Sequence, residues 1–187
     1  MKLIFVSREL YRNKNELHQW LNSQFNLDEY LFIPEGGANQ AGIEGCKEIT
    51  SLINIPFHKI ALACGTGTTI SGIIPTLNES QIALGFTVLK AGDFLQNEIK
   101  KNTPLSKHQN FKLIEDYHFG GYAKYNIELL NFMKHFKKLN NIELDFVYTA
   151  KLMFGLFDLI EKKYFADNNI IIAMHSGGIQ GNKGINR

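Results

Sequence analysis

The sequence predicts an α/β protein with three αβα layers around a mostly parallel β-sheet. Short apolar runs alternate with amphipathic stretches along most of the 187 residues, an order typical of parallel strands that are joined by helices. Residues 60–64 and 170–174 contain no polar side chain, as expected of strands covered on both faces. Glycine-rich turns follow several of the apolar runs, where ligands bind in open parallel sheets.

Hydrophobic periodicity locates the elements of the first half. Strands are predicted over 3–6, 30–33, 60–64 and 82–89, and helices over 13–25, 35–52, 68–77 and 93–100. The helix over 13–25 carries Leu17, Trp20, Leu21 and Phe25 at helical spacing. Pro34 ends the second strand, and Glu35-Gly36-Gly37 forms the first glycine-rich turn.

The second half continues the same alternation. Residues 102–110 are polar and predict a loop, 111–114 a strand, and 118–122 an irregular turn. Helices are predicted over 126–139 and 149–164, and the strand over 170–174 ends in a glycine pair at 177–178. No internal repeat is present.

Composition excludes several classes of protein. The chain has 20 Lys and Arg against 18 Asp and Glu, a formal charge of +2, without the basic patch that nucleic-acid binding requires. No apolar stretch approaches the roughly 18 residues of a membrane span. Cys46 and Cys64 fit no metal spacing, so no metal site is predicted. Two free thiols indicate a reducing compartment, and hence the cytoplasm.

The segment from Gly65 to Thr69 joins a predicted buried strand to a helix. Glycines allow close approach of a ligand, and a helix N-terminus favours an anion, which predicts a phosphate site. A Walker A loop requires a Gly-Lys pair that is absent here, and Ile70 stands where the dinucleotide fingerprint has its third glycine. An ordinary strand-to-helix turn capped by threonine remains an alternative.

Three glycine turns are expected at one edge of the sheet. Residues 35–37, 65–67 and 176–178 each follow a predicted strand, and the carboxyl ends of parallel strands share an edge. Each could be an ordinary αβ turn, but three on one edge, two of them beside hydroxyl groups, favour a binding site.

Six segments, in order, resemble the 1-aminocyclopropane-1-carboxylate deaminase and D-cysteine desulfhydrase family, which are pyridoxal-phosphate enzymes of fold type II, similar to the tryptophan synthase β chain. The segments are Phe5–Leu10, Ile33–Asn39, Gly65–Thr69, His118–Tyr122, Asp145–Lys151 and His175–Gly178. The resemblance implies pyridoxal 5′-phosphate as cofactor, a small amino acid as substrate, and a homodimer at full length. It assigns 1–30 to the end of a small domain and 31–187 to the large cofactor-binding domain.

The resemblance also implies roles for individual residues. Gly65, Thr66, Gly67, Thr68 and Thr69 would surround the cofactor phosphate. Ser176 and Thr149 would lie near the pyridine nitrogen. Tyr122 and Tyr148 match two active-site tyrosines, whose phenols could act as acid, base or nucleophile if cations lower their pKa; without the motif each would be a packed aromatic. His118 and His175 are interpreted as turn residues.

Thr149 departs from one branch of the family. Aminocyclopropane carboxylate deaminases have a glutamate at this place, whereas desulfhydrase-like members have threonine. A carboxylate keeps the ring nitrogen protonated and strengthens the electron sink, and a hydroxyl does not. The sequence therefore favours D-cysteine-like β-elimination, with aminocyclopropane carboxylate deamination as the other possibility.

The family's Schiff-base lysine precedes these six motifs, and no matching segment is found in this sequence. Lys14, Lys90, Lys151 and Lys183 lie in the wrong motifs and are interpreted as surface lysines. We therefore expect an N-terminally truncated family member that is inactive alone. The alternative is a non-catalytic chain that binds only a phosphate ligand.

Overall fold

The structure is a computed structural model that describes residues 3–25, 31–90 and 92–185. Its contacts divide the chain into two compact units, Met1–Pro34 and Glu35–Arg187. In the described residues, no helix combines the length and the apolar character needed to cross a bilayer.

In the first unit, the described residues form two helices, α1 (Arg8–Arg12) and α2 (Lys14–Gln24). Side chains cap both, because Ser7 Oγ accepts from Leu10 N at 3.2 Å and Asn13 Oδ1 accepts from Glu16 N at 3.3 Å. The helix predicted over 13–25 is confirmed.

The prediction of two strands in the first unit is wrong for the residues that the structure describes. Residues 3–6 and 31–33 are irregular, and Tyr30 lies outside the described residues. An extended segment becomes a strand only when its backbone groups pair with a neighbour, and the described part of the unit contains no strand to pair with. Phe5 and Leu31 are consequently 90% and 85% exposed.

The second unit is built on four parallel strands, β1 (Lys59–Cys64), β2 (Ile82–Thr87), β3 (Phe111–Ile114) and β4 (Ile171–Ala173). Their order across the sheet is β3-β2-β1-β4, and every pairing is parallel. The four strands predicted in this unit are confirmed, although β2 ends at Thr87 rather than at residue 89.

Five helices of this unit connect or cover the strands: α3 (Gln40–Cys46), α4 (Thr68–Ile73), α5 (Gly92–Lys101), α6 (Ile127–Asn140) and α7 (Thr149–Glu161). Short 3₁₀ turns span Glu35–Gly37, Lys47–Leu52, Ile74–Thr76, Leu105–Asn110 and Ile179–Gly184. The single helix predicted over 35–52 is thus divided. Gly36 is left-handed at φ 65°, and Asn39 starts α3 afresh by accepting from Gly42 N at 2.8 Å.

Strand β1 separates two apolar cores. Ile60, Leu62 and Cys64 face one side, where they pack with Ile70 of α4 and Ile99 of α5. Ala61 faces the other side, which is covered by Leu152, Leu156 and Leu159 of α7. A third cluster joins α6 to α7 through Leu129, Phe136 and Met153. The predicted αβα layers around a parallel sheet are confirmed.

Candidate active site

The loop between β1 and α4 is shaped by Gly67. This residue is left-handed at φ 82°, and an added Cβ would lie 3.0 Å from Leu95 Cδ1 and 3.1 Å from Ile99 Cγ1. Both the backbone conformation and the available space therefore require glycine. Beside it, the hydroxyls of Thr66 and Thr68 are hydrogen-bonded at 2.9 Å.

The same loop has the donors that a phosphate monoester needs. The first N–H groups of a helix lack intrahelical acceptors and can hydrogen-bond an anion. The hydroxyls of Thr66, Thr68 and Thr69 belong to the same five-residue segment, which contains no carboxylate to repel an anion. The residues present fit a phosphate group.

The first glycine turn packs directly on this loop. A Cβ added to Gly36 would lie 2.8 Å from Thr66 Cγ2, and one added to Gly42 would lie 3.3 Å from Thr68 Cγ2. The turn at 35–37 and the start of α3 thus support the threonine side of the loop.

Two tyrosines lie on the other side of the loop. A Cβ added to Gly65 would be 3.4 Å from Cε1 of Tyr148, so the ring of Tyr148 covers this glycine. The rings of Tyr122 and Tyr148 meet edge to face, with centroids 6.1 Å apart and planes at 73°. The structure therefore brings the two predicted tyrosines together beside the loop, and Tyr122 is 57% exposed.

The pKa of Tyr148 is raised above the usual phenol value. Burial is the main cause, followed by the hydrogen bond to Tyr122 and the negative charges of Asp145 and Glu35. The resemblance implied a role that a lowered pKa would serve, and the described surroundings shift it the other way. At neutral pH Tyr148 therefore holds its proton, and its phenol is a weaker acid than that of an ordinary tyrosine.

The carboxylate of Asp145 organises the start of α7. Its Oδ1 accepts from the backbone N–H groups of Val147 at 3.0 Å and Tyr148 at 2.7 Å. Its Oδ2 accepts from the N–H and the hydroxyl of Thr149 at 2.9 and 2.7 Å. The backbone position of Tyr148 is thus set by Asp145, for which no role was predicted from the sequence.

Thr149 is fully buried, and both hydrogen-bonding functions of its hydroxyl are directed at Asp145. It donates to Oδ2 and accepts from the backbone N of Asp145 at 2.8 Å. This hydroxyl can reach a ring nitrogen as a donor only after it leaves the carboxylate. An acidic side chain can accept from backbone N–H groups a few residues further along, and its place shortly before a helix is the signal that could have identified Asp145.

The third glycine turn contacts the same carboxylate. Gly178 is left-handed at φ 87°, and an added Cβ would lie 3.3 Å from Asp145 Cγ. His175 donates from Nε2 to the carbonyl of Glu143 at 2.8 Å and accepts from Gly177 N at 3.2 Å. The neighbouring Ser176 is exposed. The three glycine turns are therefore linked by a series of contacts that runs through Thr66, Tyr148 and Asp145.

His118 has a comparable role, since its Nδ1 accepts from Gly120 N at 2.9 Å. Both histidines hold a turn, in agreement with their interpretation from the sequence.

The prediction that Lys151 lies on the surface is wrong, because its side chain is fully buried. Its Nζ donates to three carbonyl oxygens, those of Val88 at 3.2 Å, His118 at 2.9 Å and Gly121 at 2.7 Å. Its position in the first turn of an apolar helix gave a weak signal of burial. Lys14, Lys90 and Lys183 are exposed as predicted.

Burial of Lys151 has a consequence for stability at alkaline pH. Removal from water lowers its pKa to about 8, against an opposing effect of Asp145. Between pH 8 and 10 the unfolded chain holds a proton that the folded chain loses, so the free energy of unfolding rises by about 2 kcal/mol from this group. Denaturant unfolding at several pH values should show that rise in the wild type relative to Lys151→Met. Parallel pH profiles of the two proteins would contradict it.

Known proteins are similar to this chain in sequence and in fold. No family model matches the chain. Two curated proteins named "Putative 1-aminocyclopropane-1-carboxylate deaminase" are similar to it: the one from Pyrococcus furiosus is 30% identical over 166 residues, and the one from Pyrococcus horikoshii is 32% identical over 162 residues. Each alignment covers 80% of this chain but 50% and 49% of the relative. The chain thus spans about half the length of these relatives.

A solved structure described as that of an "ACC deaminase homologue" (ACC, 1-aminocyclopropane-1-carboxylate) superposes with a TM-score of 0.72 at 27% identity. The superposition covers 99% of this chain and 60% of the other. The architecture is therefore that of part of a fold type II pyridoxal-phosphate enzyme. Within that class, the chain belongs to the 1-aminocyclopropane-1-carboxylate deaminase family, as the six motifs predicted.

Proposed function

We propose that this chain is the cofactor-binding part of a pyridoxal-phosphate-dependent deaminase of small amino acids, with D-cysteine-like β-elimination favoured. The observation that carries the proposal is the threonine-lined loop at Gly65–Thr69 with the edge-to-face pair of Tyr122 and Tyr148 beside it. A phosphate group in the loop would place an attached ring within reach of the phenols.

The loop would hold the phosphate through its N–H groups and hydroxyls, and Ser176 and Thr149 would lie near the ring nitrogen. Pyridoxal phosphate, when bound, supplies the electron sink for bonds broken at the substrate's α-carbon. The protein's own contribution is to orient that ring, to limit water around Tyr148, and to hold a proton on its hydroxyl.

The hydrogen bonds that occupy the carboxylate of Asp145 and the hydroxyl of Thr149 support the preference for D-cysteine. The two oxygens of Asp145 already accept four hydrogen bonds at the start of α7, so this carboxylate is not free to accept from a protonated ring nitrogen as well. A weaker electron sink suffices for loss of the α-proton and departure of a β-thiolate.

We also propose that residues 31–187 form the cofactor-binding domain and 1–30 the end of a small domain, in a full-length cytoplasmic homodimer. The first compact unit ends at Pro34, close to the proposed domain boundary, and so supports it. The family resemblance supports the homodimer. Cys46 and Cys64 are free thiols, and burial raises the pKa of Cys64 to about 12, so that thiol is unreactive. Free thiols fit a reducing compartment.

The second candidate, a non-catalytic chain that binds only a phosphate ligand, is favoured by the state of Lys151. Its three N–H groups are all directed at carbonyls, so this amine is not available to attach a cofactor. The other three lysines considered above are exposed. Reading the gene upstream of Met1 in frame would show whether a lysine-bearing segment precedes the chain.

Pyridoxal phosphate mixed with this 187-residue chain should bind weakly and reversibly. In Gly67→Ala, where the new Cβ presses on Leu95 and Ile99, we expect about tenfold weaker binding. Gly45→Ala is the matched control, because an added Cβ there meets nothing within 4 Å. Binding can be followed by quenching of the protein's fluorescence.

Borohydride reduction followed by peptide mapping should find no single labelled lysine, and D-cysteine turnover should not exceed that of free cofactor. One specifically labelled lysine together with turnover would overturn the expected inactivity of the chain. Turnover of aminocyclopropane carboxylate alone would overturn the substrate ranking. Equal affinity of Gly67→Ala and Gly45→Ala for pyridoxal phosphate would show that the loop is not part of the binding site.

A further inference from the structure

Lys151 lies inside the protein without a paired acid. None of the ion pairs formed by the described residues includes it, and its side chain has no exposed surface. An ammonium group has three N–H donors and a neutral amine has two. The three carbonyl acceptors around Nζ therefore match the charged form, with each proton directed at one oxygen.

The three acceptors come from two separate segments. Val88 directly follows β2, and the other two carbonyls belong to His118 and Gly121, in the turn that precedes Tyr122. The Gly121 carbonyl is part of the peptide bond to Tyr122. Through one side chain, α7 is thus tied both to the end of a central strand and to the backbone that carries Tyr122.

The turn that Lys151 holds has an unfavourable backbone. Phe119 and Ala123 both have φ 53°, in a region that residues other than glycine rarely adopt. Gly120 and Gly121, at φ 96° and 121°, adopt positive φ without that cost. Within the turn, Gly121 N donates to His118 O at 3.0 Å and Lys124 N to Gly121 O at 3.1 Å. Such a conformation persists only when surrounding contacts impose it.

Lys151 is also close in sequence to the other tyrosine. Tyr148 lies three residues before it, at the position that precedes α7. The helix start that carries Tyr148 and the turn that carries Tyr122 are therefore linked by Lys151, next to the point where the two rings meet at 6.1 Å.

We propose that Lys151 is a positioning residue, whose ammonium group fixes the Tyr122 turn against α7 and so sets the geometry of the tyrosine pair. This rests on the proposed function in one respect, that the tyrosine pair serves the reaction. The residue acts through backbone carbonyls and contacts no substrate.

The test compares Lys151→Met, Lys151→Arg and, as a control for lost surface charge, the exposed Lys138→Met, all labelled with 3-fluorotyrosine. In Lys151→Met, the fluorine resonances of Tyr122 and Tyr148 should move while that of Tyr164 stays in place. Amide exchange in 118–124 should become about tenfold faster or more, with β1 unchanged. Lys151→Arg, which keeps the charge and N–H donors, should restore part of both effects, and Lys138→Met should show neither.

Unmoved Tyr122 and Tyr148 resonances in folded Lys151→Met would overturn the proposal. If Lys151→Met does not fold, the proposal is tested on the wild type by nuclear magnetic resonance. We expect a slowly exchanging ammonium signal from one lysine Nζ at neutral pH, and we expect this signal to be absent in Lys151→Arg. Rapid exchange of every lysine Nζ would contradict the carbonyl contacts. Failure of the wild type to bind pyridoxal phosphate would refute the proposed function separately, because the fluorine and exchange measurements need no cofactor.

Discussion

Replacing Asp145 with alanine is expected to lower the free energy of unfolding by roughly 3 to 5 kcal/mol. The change removes the carboxylate that accepts from three backbone N–H groups and the Thr149 hydroxyl, in a region where Asp145 and Thr149 are 1% and 0% exposed. Buried donors that lose their acceptor cost more than the bond contributed. Urea unfolding followed by circular dichroism would measure the change.

Two further variants isolate the cause of that loss. Asp93→Ala removes an exposed acid from the first turn of α5, and should cost about 0.5 kcal/mol. Asp145→Asn keeps one acceptor oxygen and should fall between wild type and alanine. A loss in Asp145→Ala no larger than in Asp93→Ala would show that the carboxylate network contributes little.

Asp145→Ala should also disturb the site, because the carboxylate sets the backbone of Tyr148 and packs against Gly178. The edge-to-face contact of Tyr148 with Tyr122 depends on that backbone position. Near-ultraviolet circular dichroism of the folded variant should therefore lose part of its tyrosine signal.

Gly72→Ala is expected to lower the free energy of unfolding by about 3 kcal/mol. An added Cβ would lie 2.4 Å from the carbonyl oxygen of Ile43 and 2.5 Å from Cys46 Cβ, so α3 and α4 would have to separate. The obstacle is helix backbone, which cannot turn aside as a flexible side chain can. Chemical unfolding of the variant gives the free energy directly.

Gly45→Ala is the matched control in the adjoining helix α3. Its added Cβ meets nothing within 4 Å, and alanine favours the helix by about 0.5 to 1 kcal/mol, so this variant should be as stable as the wild type or more so. Equal losses in both variants would show that helix propensity, not the close contact of α3 and α4, sets the result. Because the start of α3 packs against Thr68 of the loop, Gly72→Ala should weaken phosphate binding as well.

Two kinds of residue shape the surroundings of the site, closely packed glycines and buried charged side chains. Gly36, Gly67 and Gly178 are places where backbone must approach a neighbour closely, and each is left-handed. Asp145 and Lys151 are buried charges whose partners are backbone groups. Both kinds shape the loop, the tyrosines and the turns without needing to touch a ligand.

Much of the fold was predictable because its signals are local. The all-apolar run before Gly65 predicts β1, and the glycine-threonine segment predicts the turn into α4, since both depend on neighbouring residues. The strand predicted over residues 3–6 failed for the opposite reason, because strand formation requires a partner that an apolar pattern does not reveal.

By itself, the sequence determined the parallel α/β architecture, the loop at Gly65–Thr69 and the family, through motifs whose order and spacing are written along the chain. The tertiary structure alone decided that Lys151 is buried, since its three acceptors lie 63, 33 and 30 residues away. It also decided that the pKa of Tyr148 is raised, mainly by burial and by its contact with Tyr122. Burial and charge environment are set by residues that meet only on folding, and no local pattern records them.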